Sequence, residues 1–360
     1  MSVLQSGRRR ASAEQQATVP GTAAVRAVRT RLRRRSIVVS VGLLVALSVL
    51  FVLSLLIGDF PMSVGDVFAS LTGHGTRATD FIVYTLRLPR VVTGMLVGLC
   101  FGLSGAIFQS TIRNPLASPD IIGITSGASA AAVLAILLLG LSGYVVSLFA
   151  FVGALVTALV IYVLAWRRGI AGYRLVLVGI GVAAVLVSVI DYLMTRAEVF
   201  DAQVALLWLT GSLNGSSQAT MVPLAVLLVV VLPLTLWAAG SLTGLQLGDE
   251  TATSIGIEVE RSRLLLILFA VALAAIATAA AGPIGFVAFV SGPIARRLTH
   301  GTSISLIPAA LVGALVVTAA DFTGQHLLPV QLPVGVLTAA VGAPYLLYLL
   351  VKSNRIGSGG

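Results

Sequence analysis

Long apolar stretches recur along almost the whole chain after Ser36, separated by short polar interruptions. Most have the roughly 20 residues that an α-helix needs to cross about 30 Å of hydrocarbon. They show no period-two alternation, so the pattern predicts helices rather than a transmembrane barrel. The predicted spans are 37–57, 91–111, 120–140, 144–165, 174–194, 221–240, 264–281, 283–297, 305–325 and 333–351.

Two apolar stretches depart from this pattern. The segment at 283–297 is short and rich in glycine, and we interpret it as the eighth span. The segment QVALLWLTGSL at 203–213 is too short to cross a bilayer, so we expect a helix lying at the membrane surface.

The composition agrees with an all-α polytopic membrane protein. Hydrophobic residues make up 58% of the chain and charged residues 10%, too few to cover a soluble protein of this length. Cys100 is the single cysteine, so no disulfide framework exists, and we interpret it as a small buried apolar residue.

Basic residues predict the orientation. All of the 23 lysines and arginines except Arg77, Arg87, Arg90 and Arg196 fall on the side of the predicted amino terminus. The positive-inside rule then places both termini in the cytoplasm. The net charge of +10 favours contact with anionic lipid headgroups over nucleic-acid binding.

This orientation divides the chain into regions. We expect a basic, disordered cytoplasmic tail at 1–35, a transmembrane domain at 36–352 and a short carboxy-terminal tail at 353–360. The loop at 241–263 is the longest internal cytoplasmic segment.

Few residues offer chemistry. Lys352 is the only lysine and lies outside any phosphate-binding motif, so ATP-driven transport would need another chain to bind the nucleotide. His74, His300 and His326 are scattered, and we predict no metal site, catalytic residue or cofactor. Asp191 and Asp321 lie near the outer ends of their spans, where we expect water contact rather than a proton relay.

Three polar segments are candidate sites. RNPLASPD at 113–120 interrupts the hydrocarbon with two prolines, which predicts an elbow on the cytoplasmic side. In the loop at 241–263, Asp249 can cap a short helix, Glu250 favours its first turn and Gly256 can end it in a left-handed conformation. Such a helix suits docking into a partner, and the alternative is a solvated connector.

The third segment is RLPR at 87–90. Pro89 suits the first turn of the second span, which leaves Arg87 and Arg90 near a helix amino end that disfavours cations. An anionic partner would offset this cost, and lipid phosphate is one candidate.

Several segments together resemble the FecCD family, the permease subunits of ABC importers for iron-siderophores, haem and cobalamin. The similarity covers about 37–351, and the motifs that carry it are RLPRVVTGMLVGLCFGLSGAIFQSTIRNPLASPDIIGITSGA, WLTGSL, LGDETATSIG, AAGPIGFVAF with PIAR, and TAADFTGQHLLPVQLPVGVLTAAVGAP. The resemblance implies a type II permease of about ten helices in the inner membrane. It also implies a second permease copy, a docked ATPase subunit and an extracytoplasmic substrate-binding protein.

The resemblance also implies roles for individual residues. Asn114 and Leu116 would close a cytoplasmic gate, although Asn114 could instead cap the next turn. The segment at 249–256 would be the coupling helix, with Ala252 the contact least tolerant of bulk and Thr253 the position where a proline would break it. Arg87 and Arg90 would meet carboxylates of the binding protein.

The sequence departs from the family pattern in three places. Gly292 and Pro293 replace a Pro-His pair, Gln325 stands where an arginine is common, and Gln331 replaces a glutamate. These changes bear on the substrate and on docking. We favour a ferric siderophore as substrate, with haem and cobalamin as alternatives, and a secondary transporter or a receptor-like protein as the competing classes.

Overall fold

The chain folds entirely into helices over the ranges that a computed structural model describes, residues 20–166, 172–300 and 305–357. A π-helical segment, Ile82–Arg87, joins α3 to α4, and a 3-10 turn, Ala239–Ser241, joins α10 to α11. The helices in chain order are α1 (Pro20–Leu56), α2 (Val64–Leu71), α3 (Arg77–Phe81), α4 (Leu88–Ile112), α5 (Pro119–Ile122), α6 (Ile124–Leu137), α7 (Tyr144–Ala165), α8 (Gly172–Arg196), α9 (Val199–Leu209), α10 (Gln218–Ala238), α11 (Leu242–Gln246), α12 (Asp249–Ser254), α13 (Val259–Ala281), α14 (Val287–Thr299), α15 (Leu306–His326) and α16 (Val334–Gly357).

The all-α membrane fold is confirmed, and every predicted span overlaps a helix, although the span at 120–140 is divided at Gly123 into α5 and α6 and the span at 283–297 becomes helical only from Val287. Seven helical stretches in the described ranges are long and apolar enough to cross a bilayer. The helices α6 and α14 have only 14 and 13 residues, so the number of crossings, near ten, stays a prediction. A short helix is present near 203–213 as α9, with 11 residues, and its expected place at the membrane surface stays a prediction.

The amino-terminal region differs from the expectation. Because α1 begins at Pro20, residues 20–35 are helical and the predicted disorder is wrong for them. At the other end α16 continues to Gly357, into the predicted carboxy-terminal tail. Residues 1–19, Arg167, Arg168 and 358–360 lie outside the described residues.

The centre of the bundle is α4, whose side chains are mostly buried between α13, α14 and α15. Gly94, Gly98 and Gly102 recur every fourth residue, a spacing that lets helix backbones approach closely in membranes. A Cβ added to Gly98 would lie 2.6 Å from the Cα of Ala314 in α15. The packing of α4 on α15 therefore depends on the absence of a side chain there.

The outer helices show the opposite pattern. Val38 in α1, Leu177 in α8 and Val229 in α10 are all more than half exposed, as expected for side chains that face lipid.

Candidate gate, coupling and docking sites

The elbow between α4 and α5 is built from local backbone interactions. Arg113 ends α4 in a left-handed conformation with φ 54°. The Oδ1 atom of Asn114 accepts a hydrogen bond of 2.9 Å from the Leu116 backbone N–H. Ser118 then caps α5, with Pro119 at its first position. Asn114 thus has the turn-forming role named as the alternative, and its role in gating stays a prediction.

The elbow returns into the bundle instead of running along its end. Before the elbow, Ile112 adjoins Gly172 at the start of α8, and after it Ile122 adjoins Gly179 of the same helix. Seven residues of helix correspond to about 10 Å of rise. The half-buried Asn114 and Leu116 therefore lie on a segment that re-enters the bundle, and α6 needs only its 14 residues to complete the crossing.

The far end of the elbow contacts the segment before α14. The Phe286 backbone N–H donates a hydrogen bond of 3.2 Å to the Oδ2 atom of Asp120. Phe286 has φ 67° and immediately precedes α14. A movement of the elbow would therefore also act on the start of α14.

The predicted loop helix is present as α12, and it begins differently from the expectation. Gly248, with φ 107°, occupies the N-cap position, so Asp249 is the first helical residue and does not cap. Gly256 has φ 84°, the left-handed conformation predicted for it. Glu250 and Thr253 are exposed, whereas Ala252 is fully buried within the chain. Ala252 therefore faces its own bundle, contrary to its predicted place as a contact with a partner.

The side chain of Asp249 joins α12 to the elbow. Its carboxylate accepts hydrogen bonds from Arg113, at 2.8 Å, and from Arg263 of α13, at 3.1 Å. Arg113 also donates to the Leu245 carbonyl at the end of α11. The predicted coupling segment and the predicted gate segment are thus held together by one arginine.

These arginines change the acidity of Asp249. Burial raises the pKa of the carboxyl, but Arg263 and Arg113 together outweigh burial and hold the pKa below its ordinary value. A carboxyl with a lowered pKa stabilises the folded state above its ordinary pKa, and this contribution is lost as the pH falls through the lowered value. The contact is therefore fully formed at neutral pH.

In the RLPR segment, both arginines have partners within the chain. Arg90 makes two hydrogen bonds to Asp321, of 3.0 and 2.8 Å, and the amide of Gln325 donates to the same carboxylate at 2.6 Å. Asp321 is only 6% exposed, and its carboxylate forms an ion pair with Arg90 that the sequence did not predict. Arg87 donates to the carbonyls of Leu55 and Phe60 and has no ion pair among the described residues.

The RLPR arginines and their side-chain partners line one polar cavity of about 290 Å³. Two of the positions that depart from the family pattern, Gln325 and Gln331, line it together with Arg87, Arg90, Asp321 and His326. The cavity therefore gathers the predicted docking residues and two of the departures in one place.

The departure at Gly292 has a direct structural reason. The buried Gln109 of α4 donates to the Phe289 carbonyl at 2.9 Å and accepts from Arg296 at 3.0 Å. The closest atom to a Cβ built on Gly292 would be Oε1 of Gln109. A residue with a side chain at 292 would displace Gln109, so the glycine makes room for this contact.

The sequence reasoning missed two exposed apolar residues beside α12. Leu247 is 62% exposed and Ile255 is 59% exposed, one at each end of the helix. Their apolar character in a loop between two predicted spans was the available signal. Together with Glu250 and Thr253 they form what we call the α12 surface.

Comparison with known proteins gives a consistent result. The family model described as the FecCD transport family matches residues 45–352. The chain is 42% identical over 299 residues to the ferric enterobactin transport system permease protein FepG of Escherichia coli K12, which covers 83% of this chain and 91% of that protein. It is 40% identical over 329 residues to the Fe(3+)-citrate import system permease protein YfmE of Bacillus subtilis 168, which covers 91% of this chain and 98% of that protein.

A solved structure is similar as well. It is described as a metal-chelate type ABC transporter in an inward-facing conformation. The TM-score is 0.77 at 27% identity, and the match covers 88% of this chain and 99% of that chain. The likeness extends over nearly the whole of the solved chain.

Proposed function

Since this chain belongs to the FecCD transport family, we propose that it is the permease subunit of an ATP-binding cassette importer for a ferric siderophore or a similar metal chelate. It is a multi-pass membrane protein, and the relatives FepG and YfmE are named for ferric enterobactin and Fe(3+)-citrate. The proposed orientation places both termini in the cytoplasm. ATP hydrolysis is assigned to a partner chain, because this sequence contains no phosphate-binding loop.

The observation that carries the proposal is the α12 surface. Short exposed helices with apolar residues at both ends suit insertion into a groove of another protein. The carboxylate of Asp249 connects this surface through Arg113 to the elbow. A displacement of α12 by an ATPase subunit would thus pull on Asn114 and Leu116, the proposed gate residues.

Docking of a substrate-binding protein is proposed for the outer cavity. No carboxylate of the described residues lies within ion-pair distance of Arg87, although Asp59 acts on it electrostatically, so Arg87 is the arginine more available to a partner's carboxylate. Arg90 is held by Asp321 and would take part only if that pair opened. The geometry supports a larger role for Arg87 than for Arg90.

The proposed function is tested by transport in reconstituted vesicles. The permease is reconstituted with its ATPase and binding protein, and uptake of radioiron-labelled ferric enterobactin, ferric citrate and haem and of labelled cobalamin is measured with and without ATP. We expect ATP-dependent uptake of at least one ferric chelate. Uptake that persists without ATP but requires a proton or sodium gradient would identify a secondary transporter instead.

Haem and cobalamin serve as the alternatives within the same family. Uptake of either one in place of the ferric chelates would leave the permease role intact and change the substrate. Absence of transport in the complete assembly would contradict the proposal and favour a receptor-like protein.

A further inference from the structure

An apolar groove lies between α14, α15 and α16, outside the candidate sites described above. Its volume is about 340 Å³. Its walls include Phe286, Val290, Ile294, Ala320, Val341 and Tyr345. From Phe286 to Ile294 the groove follows α14 for eight residues, or about 12 Å of helix, which approaches the depth of one leaflet of a bilayer.

A cation lies at one end of this groove. Arg297 is one turn beyond Ile294, and its guanidinium carbon lies 5.6 Å from the ring centre of Tyr345 and 5.4 Å from that of Tyr348. No carboxylate of the described residues pairs with Arg297. Two aromatic rings therefore hold this cation in place without neutralising its charge.

Two further features at this end call for a polar ligand. The phenolic oxygen of Tyr345 is buried and has no hydrogen-bond partner among the described residues. Arg35 of α1 donates to the Leu298 carbonyl at 3.1 Å, which adds positive charge near the end of α14. A buried phenol without a partner is uncommon and costly, so a ligand oxygen at this place would stabilise the arrangement.

We propose that this groove binds one anionic phospholipid. The phosphate would contact Arg297 and accept a hydrogen bond from Tyr345, while an acyl chain would occupy the groove along Ile294, Val290 and Val341. Arginine suits this task because its planar guanidinium can donate two hydrogen bonds to a phosphate and stack on an aromatic ring at the same time. The proposed orientation would place the lipid in the cytoplasmic leaflet. The selectivity of the groove for an anionic headgroup does not depend on that orientation.

Charge decides between a lipid and a second copy of this chain as the occupant. A second copy would have to supply an acidic group for Arg297 at the membrane boundary. Anionic lipids supply a phosphate at that depth together with an apolar chain that continues into the groove. A single lipid thus satisfies the cation, the phenol and the groove together.

The test compares two lipids that share acyl chains and differ in headgroup. The full chain is purified in mild detergent, incubated with equal amounts of phosphatidylglycerol and phosphatidylcholine, and examined by native mass spectrometry. We expect retention of phosphatidylglycerol to exceed that of phosphatidylcholine by about fivefold, as one arginine at a membrane surface provides. Equal retention of the two lipids by the wild-type chain would overturn the proposal.

Four variants separate the contributions of the cation, the phenol and the apolar groove to lipid retention. Arg297→Gln should bring the ratio close to one, and Arg297→Lys should restore part of it. Tyr345→Phe should lower the ratio less than Arg297→Gln. Val341→Trp, at a position that is 72% exposed, should fill the groove and lower retention of both lipids.

The matched control is Arg261→Gln. Arg261 is 71% exposed and lies in the first turn of α13, remote in sequence from the groove. It should leave the ratio unchanged, and an Arg297→Gln chain that behaves like this control would contradict the proposal. A second copy over the groove would instead appear as disulfide-linked dimers of Val341→Cys in native membranes, with no selective lipid retention, and would also overturn it.

Discussion

Arg113 at the end of α4 donates a hydrogen bond of 2.8 Å to Asp249 in α12, across 136 residues of sequence. Both side chains are about half exposed, so the pair contributes little to stability, about 0–1 kcal/mol for exposed ion pairs. The position of this ion pair matters more than its strength, because the pair connects the α12 surface, which would face the ATPase, with the elbow. We therefore expect its loss to affect transport much more than folding.

The first prediction concerns this pair. Arg113→Gln should lower ATP-driven uptake by about tenfold, within the usual range of coupling between sites, while ATP hydrolysis continues. Uptake and hydrolysis are measured in the same vesicles. Arg261→Gln is the control, because it removes another exposed contact, the one of 3.5 Å between Arg261 and Glu258 at the start of α13. It should leave both rates unchanged. A parallel fall of both rates in Arg113→Gln would indicate impaired assembly rather than uncoupling.

A second prediction concerns the α12 surface. Ile255→Asp places a charge on an exposed apolar residue, so it should weaken binding of the ATPase subunit without unfolding the chain. The measurement is co-purification of the ATPase with the permease. Val199→Asp, at a position that is 88% exposed in α9, is the control and should retain the ATPase. Full retention by Ile255→Asp would exclude this side chain from the interface.

A proline tests the helix itself. Thr253→Pro should destabilise α12 by about 3 kcal/mol and uncouple hydrolysis from uptake, because proline breaks the helical hydrogen bonding. Thr253→Ala keeps the helix and should retain transport. If uptake stays normal in the proline variant, α12 does not act as the coupling helix.

On the outer face, the predictions for the two arginines differ. Arg90→Gln leaves the carboxylate of Asp321 buried without its cation, which should lower the unfolding free energy by about 3 kcal/mol. Adding Asp321→Asn should recover most of the loss, as measured by thermal unfolding in detergent. An Arg90→Gln chain as stable as the wild type would show that the pair of Arg90 and Asp321 contributes little.

Arg87→Gln should instead weaken association with the binding protein.

The packing of α4 on α15 predicts a further stability effect. Gly98→Val adds a side chain where the backbone of α15 is in contact, and overpacking of this kind costs about 1–3 kcal/mol. Gly42→Ala in α1 is the comparison, since no atom lies within 4 Å of a Cβ there. Thermal unfolding should separate the two variants, and equal melting temperatures would contradict the close approach of α4 and α15.

Local patterns predicted the helices and the left-handed turn at Gly256, because helix formation and glycine conformation depend on neighbouring residues. The capping of α12 by Asp249 was predicted wrongly, while its part in coupling stays a prediction. Its carboxylate could have capped α12, but Arg113 and Arg263 take it instead, and neither arginine is a local neighbour.

The RLPR segment also shows that local patterns do not predict contacts between residues far apart in the sequence. Arg90 and Asp321 are separated by 231 residues, so the sequence predicted an external anion for Arg90 and water for Asp321 where the fold forms one ion pair. The burial of Ala252 could not be predicted either, since it depends on how α12 lies against the bundle.

The contact between α4 and α15 also limits how the protein can move. Gly98, Gly102 and Gly313 meet through backbone atoms, so no side chain at this contact can change rotamer to let one helix slide past the other. We therefore expect these two helices to move as a single rigid body. We expect an opening of the bundle to occur by rotation beside that body, at two left-handed residues, Arg113 at the start of the elbow and Gly123 between α5 and α6.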